Sequence, residues 1–295
     1  MPKEKKFLDK VKAKLKLILT KENLKKFSIF TFKLSIVGFL VGIIFAVGVY
    51  AYFSKDLPSP GHISENNMAE STKIFDSSGQ VLLYEFHGEE RRTIIQLKDV
   101  SEHAINATLA AEDDNFYNHH GLDFPGIAKA VWTDVTSGSA ARGASTLTQQ
   151  FIKNSILTPE KTYTRKIKEA ILSLELERRF TKDEILEMYL NQIPYGSNAY
   201  GIEAAAQTFF EKNANNLSLD EAAMLAALPK APTRFSPYGN NSERLLIRQE
   251  WILKRMEDLG YYPSEEIQAA LKEDTLSKVK PFKAEIKAPH FVMYV

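Results

Sequence analysis

The chain has 295 residues, 44% hydrophobic and 25% charged, with 38 Lys and Arg against 37 Asp and Glu for a net charge of +1. This length and mix fit one or two globular domains and exclude a disordered chain or a collagen-like repeat. With no cysteine there is no disulfide framework, thiolate nucleophile or Cys-based zinc site, and the balanced charge argues against a nucleic-acid binder.

The charge is unevenly spread. Residues 1–33 hold eleven Lys against Glu4, Asp9 and Glu22, a local net of +8 that leaves −7 for the remainder. Next comes Leu34 to Phe53, twenty residues without a charge. At ~1.5 Å rise per residue, a helix of that length spans a ~30 Å hydrocarbon core. A cleaved signal peptide normally has a shorter apolar region of ~7–15 residues, so the run reads as an uncleaved transmembrane helix. Its lysine-rich flank should stay in the cytoplasm, leaving residues from 54 onward outside. Gly38 and Gly42 form a GxxxG, a spacing common in membrane helices and of little weight alone.

Residues 54–70 are rich in Pro, Gly, Ser and Asn and read as a linker. Ser71 to Thr93 alternates apolar and polar residues around Ser78-Gly79, a β-hairpin signal. After Ser101 the apolar spacing turns helical. Helices are expected over 103–112, 127–134, 146–156, 162–179, 183–191, 202–210 and 220–228, with Thr181 to Glu184 resembling a capping box. Pro229, Pro232 and Pro237 interrupt the pattern, and two further helices are expected over 242–259 and 264–272. The body is therefore mainly α with a small β element. Ser277-Lys278-Val279-Lys280 satisfies S-x-x-K, but it lies in a charged tail without a KTG and reads as chance.

Three constellations could carry chemistry. Glu112-Asp113-Asp114-Asn115-Phe116-Tyr117-Asn118-His119-His120-Gly121 follows an apolar helix that delivers Glu112 at its C-terminal end. There the negative end of the helix dipole suits a carboxylate that takes up a proton. A solvated loop with a capping Asp is the equal alternative. Adjacent His residues rarely converge on one metal, so His119 and His120 read as structural. Gly143 to Lys153 places Ser, Thr and Gln at a helix start, groups suited to sugar hydroxyls and phosphate oxygens, or simply to a capped polar helix. Arg165-Lys166-Ile167-Lys168-Glu169 puts Arg165 and Lys166 within reach of Glu169 on a helix that is apolar nearly all round. That pattern suggests a buried carboxylate between cations, or an ordinary helical ion pair.

Taken together and in this order, these residues resemble the peptidoglycan glycosyltransferase domain (glycosyltransferase family 51) found in class A penicillin-binding proteins and monofunctional transglycosylases. The resemblance runs through Glu112-Asp113-x-x-Phe116-x-x-His119-x-Gly121, then Gly143-Ala144-Ser145-Thr146-x-Thr148-Gln149-Gln150, then Arg165-Lys166-x-x-Glu169. It continues through Lys182-x-Glu184-Ile185-Leu186-Glu187-x-Tyr189-Leu190-Asn191 and Ala227-Leu228-Pro229-x-x-Pro232. It implies a lysozyme-like helical fold with a small membrane-proximal lobe over 71–240, after a basic cytoplasmic tail (1–33), a transmembrane helix (34–53) and a linker (54–70). Residues 241–295 are expected to form a helical linker toward a transpeptidase domain that does not follow within this sequence.

The resemblance also implies a reaction. The donor is a growing glycan on undecaprenyl pyrophosphate, and the acceptor is lipid II. The acceptor's GlcNAc 4-hydroxyl attacks the donor's anomeric carbon with inversion, giving a β-1,4 link. Glu112 matches the base and Glu169 the second catalytic carboxylate. The substrate-binding set is Asp113, Lys129, Ser145, Gln149, Gln150, Lys153, Lys161, Arg165 and Lys166, with Asp113 also supporting its loop. Lys153 and Lys161, and more loosely Lys129, match pyrophosphate-contacting positions. Lys129 and Lys161 stand where many relatives carry Arg, which keeps charge but loses the bidentate fork. No cofactor is required, though a divalent cation (Mg or Mn) near the pyrophosphate could be held by Glu169. The implied partners are lipid II, the lipid-linked glycan, the bacterial cytoplasmic membrane and cell-wall synthesis proteins. A lysozyme-like hydrolase and an inactive anchored scaffold are the competing readings.

Overall fold

The computed structural model describes residues 21–54, 72–78, 80, 82–86, 91–137, 145–157, 162–239 and 242–281. The expected tail up to residue 20, most of the linker, and residues 282–295 of the expected C-terminal linker lie outside the described residues. The chain divides into two units, Met1–Leu57 and Pro58–Val295.

Among the described residues the first unit holds one helix, α1 (Lys21–Ser54). It starts well before the uncharged run because Lys, Glu and Leu are good helix formers and neither Gly nor Pro interrupts residues 21–33. Its Lys25–Tyr52 stretch has a mean hydropathy of 2.4 and is long and apolar enough to cross a membrane. Phe39, Ile44, Phe45 and Tyr52 are exposed, as expected of a helix whose apolar surface faces lipid rather than a protein core.

The second unit opens with the expected hairpin. β1 (Thr72–Phe75) pairs antiparallel with β2 (Leu82–Phe86), with Thr72 opposite Phe86 and Ile74 opposite Tyr84. The Asp76 carboxylate organises the turn by accepting from Ser78 Oγ and the Gln80 amide. Gly79 lies outside the described residues. A second sheet is not apparent in the sequence pattern. β3 (Arg91–Arg92) runs parallel to β5 (Ala199–Tyr200), which pairs antiparallel with β4 (Pro194–Gly196). Strands of two or three residues are too short to show alternation, and the Ser197-Asn198 turn reaches positive φ without the usual glycine.

The described helices follow the expected order: α2 (Glu102–Glu112), α3 (Phe124–Ser137), α4 (Leu147–Ser155), α5 (Tyr163–Arg179), α6 (Lys182–Gln192), α7 (Ile202–Phe210), α8 (Leu219–Ala227), α9 (Ser242–Asp258) and α10 (Ser264–Lys272); the short α11 (Thr275–Lys278), in what reads as a charged tail, was not expected. Thr146, Thr181 and Ser218 open α4, α6 and α8 with capping boxes. Every residue of α8 is buried, and its alanines let neighbouring helices approach closely. α2 and α9 pack against it and against each other, while α4 packs on α5 and α6.

Residues 242–281, expected as a connecting segment, are therefore part of this core. α9 buries Leu245, Ile252, Leu253 and Met256, and such a stripe needs a partner surface. A polar clasp holds α11 to the N-terminal turn of α8. The buried Asp220 carboxylate accepts from Ser218 Oγ, Thr275 Oγ1 and Lys278 Nζ, and Gln249 Nε2 donates to the Asp220 carbonyl and to Thr275. Lys278 of the S-x-x-K stretch is thus an ion-pair partner.

Desolvation alone would raise the Asp220 carboxyl, but the donors outweigh it and hold it below its usual range. The Lys278 ammonium is pushed up because its pairing with Asp220 and Glu273 outweighs its own desolvation. A carboxyl lowered in the folded state contributes stability that is present above the unfolded value of ~4 and lost as pH falls through the folded one. A raised ammonium contributes stability that is present below ~10.4 and lost above its folded value. Lys278→Met should therefore lower the urea midpoint at pH 7, and the gap to the parent should close as pH drops below ~4. Urea titrations at pH 7 and below 3 check this.

Candidate active site

The C-terminal end of α2 presents Glu112, whose side chain is 11% exposed. Its Oε2 accepts from Gln150 Nε2 at 2.8 Å, and its Oε1 accepts from an Arg248 terminal nitrogen at 3.1 Å. That nitrogen also reaches the Ala111 carbonyl, a helix-end acceptor that α2 leaves unsatisfied, at 3.4 Å. Tyr189 and Tyr195 are fully buried nearby, and their hydroxyls have no hydrogen-bond partner among the described residues. Both phenols are pushed well above their ordinary range, first by burial and then by the Glu112 carboxylate.

Asp113 turns inward instead. It is 8% exposed, and its Oδ2 accepts from the Leu147 amide at 2.8 Å and pairs with His119 Nε2 at 2.9 Å. The carboxylate thus satisfies a free amide at the start of α4, where the helix dipole favours negative charge. Lys182 Nζ lies 3.4 Å from His119 Nδ1 and 2.7 Å from Glu177, which also accepts from Thr148 Oγ1. With Lys182 as donor to Nδ1, the ring hydrogen shared with Asp113 sits on Nε2. His119 is structural, as expected of it. Asp113, grouped with the substrate-binding residues, has its carboxylate occupied by protein donors.

Gly121 closes the loop at φ +82°, and its carbonyl accepts from Thr146 Oγ1. An added Cβ would sit 2.8 Å from the Ser173 carbonyl carbon and oxygen of α5. Gly121→Ala should therefore cost about 1–3 kcal/mol through combined strain and backbone collision. Denaturant unfolding would measure it.

On α5, Glu169 is buried at 2% exposure between Arg165 and Lys166, which pair with its Oε1 and Oε2 respectively. Of the two alternatives for this motif, the structure has the buried carboxylate between cations rather than an ordinary surface ion pair. Lys166 Nζ also donates to Ser145 Oγ at 2.6 Å. The residues at the start of α4 are therefore shared: Ser145 connects to Lys166 and Glu169, Leu147 to Asp113, and Gln150 to Glu112.

Other expected site residues are placed differently. Gln149 is buried and closes the capping box with Thr146, so it supports the helix start rather than lining a groove. Lys153, in the last turn of α4, and Lys129, on α3, are exposed, and no hydrogen bond or ion pair ties either side chain to the cluster among the described residues. Lys161, Gly143 and Ala144 lie outside the described residues. Arg248 was not expected. Its signal was an arginine at a stripe position, three residues after Leu245 and four before Ile252 on α9.

The surroundings of Glu169 do not fit a divalent cation. Both its oxygens face cationic side chains, and no group of three or more His, Cys, Asp or Glu among the described residues could hold a metal ion.

Glu112 at a helix end, joined through Gln150 to an α4 whose start reaches the Lys166–Glu169 pair through Ser145, lies within a helical unit of a known class. The transglycosylase family model matches residues 79–257. The chain belongs to the transglycosylase family. It is 43% identical over 243 residues to penicillin-binding protein 1A of Pseudomonas aeruginosa, covering 82% of this chain and 29% of that protein. It is 41% identical over 250 residues to penicillin-binding protein 1A of Aquifex aeolicus, covering 84% of this chain and 34% of that protein. The chain thus spans about a third of the length of these relatives. A crystal structure of penicillin-binding protein 1A from Haemophilus influenzae aligns with a TM-score of 0.44 and 29% identity, over 77% of this chain and 23% of that one.

Proposed function

We propose that the protein is a membrane-anchored peptidoglycan glycosyltransferase that polymerises lipid II into β-1,4 glycan strands and releases undecaprenyl pyrophosphate. The observation that carries this reading is the placement of Glu112, partly exposed at a helix end and held on both oxygens by Gln150 and Arg248. As base, its carboxylate takes the proton from the acceptor's GlcNAc 4-hydroxyl as that oxygen attacks the anomeric carbon from the face opposite the leaving group, inverting the centre. Pyrophosphate leaves as a stabilised anion, so cations can assist it without protonating it. Lys166, half exposed beside Ser145, joins Lys153 and Lys161 as candidates for that work.

In this reading α1 is the anchor, with the lysine-rich tail in the cytoplasm and the catalytic unit outside. A tether on a surface that also holds the lipid-linked substrate raises its local concentration. Incubating the protein with purified lipid II and resolving the products by gel tests the reading. Glycan polymer supports it; cleavage of finished glycan without polymer would identify a hydrolase, and neither product would identify a scaffold.

A further inference from the structure

We infer that Arg248 is a positioning residue for the Glu112 carboxylate, so that the catalytic centre is completed by α9. The inference rests on the reading of Glu112 as base. One terminal nitrogen of Arg248 reaches the Ala111 carbonyl and Glu112 Oε1, fastening the last turn of α2 and the side chain it carries to one point. The guanidinium and the carboxylate are each 11% exposed, so this contact is sheltered from solvent. The guanidinium carbon also lies over the Trp251 ring, 5.2 Å from its centroid, a cation–π contact from within α9. Gln150 holds the opposite oxygen, leaving the carboxylate clamped from α4 on one side and α9 on the other.

Buried charge on the apolar stripe of α9 is costly and weak evidence for stability. A carboxylate held in one orientation serves catalysis, because misplacing a reacting group by ~1 Å can cost ~10²-fold in rate. Arg248 therefore acts through Glu112, on turnover rather than on substrate affinity.

The test uses the full chain in detergent with purified lipid II. Arg248→Met should lower kcat by ~10-fold or more and leave KM within about twofold. Arg248→Lys keeps the charge but not the rigid planar donor, and should lose ~3–10-fold in kcat at unchanged KM. In a Glu112→Gln background Arg248→Met should add no further loss, because the side chain that Arg248 orients can no longer take the proton. A parental kcat in Arg248→Lys, a loss confined to KM in either variant, or a full additional loss in the Glu112→Gln background would each overturn the inference. If Arg248→Met does not fold, Arg248→Lys decides alone. The parent reading fails separately: Glu112→Gln would then polymerise at the parental rate, whatever Arg248 does.

Discussion

Glu112→Gln should lower the rate of lipid II polymerisation by ~10²-fold or more, the loss expected when a general base is removed. The amide keeps the shape of the carboxylate and one acceptor, so Gln150 or Arg248 still finds a partner, but it cannot accept the hydroxyl proton. The fall should appear in kcat, with lipid II binding and melting temperature little changed. Continuous assays with labelled lipid II measure the rate, and thermal unfolding measures the fold. Parental turnover in this variant would remove Glu112 from the chemistry and the proposed mechanism with it.

Asp113→Ala should have the largest effect on stability. The carboxylate is 5% exposed and accepts from both the Leu147 amide and His119. Truncation leaves the Leu147 amide at the start of α4 without an acceptor and leaves His119 facing Lys182 and Glu177 without its partner. Losing two hydrogen bonds to a buried charged acceptor, with the donors left buried, costs about 3–5 kcal/mol. Asp113→Asn keeps an oxygen for one donor and should cost about half as much. Activity should fall in both variants, because α4 carries Gln150 to Glu112. Equilibrium unfolding in urea separates the two costs, and equal stability in all three proteins would show that Asp113 does not secure α4.

The helices from α2 to α10 were legible from local signals, while the four-residue α11 was too short to show one. α6 shows a Thr-x-x-Glu capping box ahead of an apolar stripe, and α10 follows a Gly-Tyr-Tyr-Pro break. The burial of Glu169 was legible as one of two readings, because a carboxylate on a helix apolar nearly all round has little solvent to face. The three-stranded sheet was not, since its pairs join residues far apart in the chain through strands too short to alternate.

The sequence by itself determined the apolar run of α1, the order of helices that follow it and the family motifs, because propensity, capping and periodicity act over a few residues. Tertiary structure decided what the side chains of those motifs touch. Gln149 and Gln150 are neighbours with the same chemistry, yet a helix turns ~100° per residue, so one closes a capping box in the interior while the other meets Glu112. The contact from Arg248 to Glu112 spans 136 residues and exists because α2, α8 and α9 pack together, a placement that no local pattern encodes.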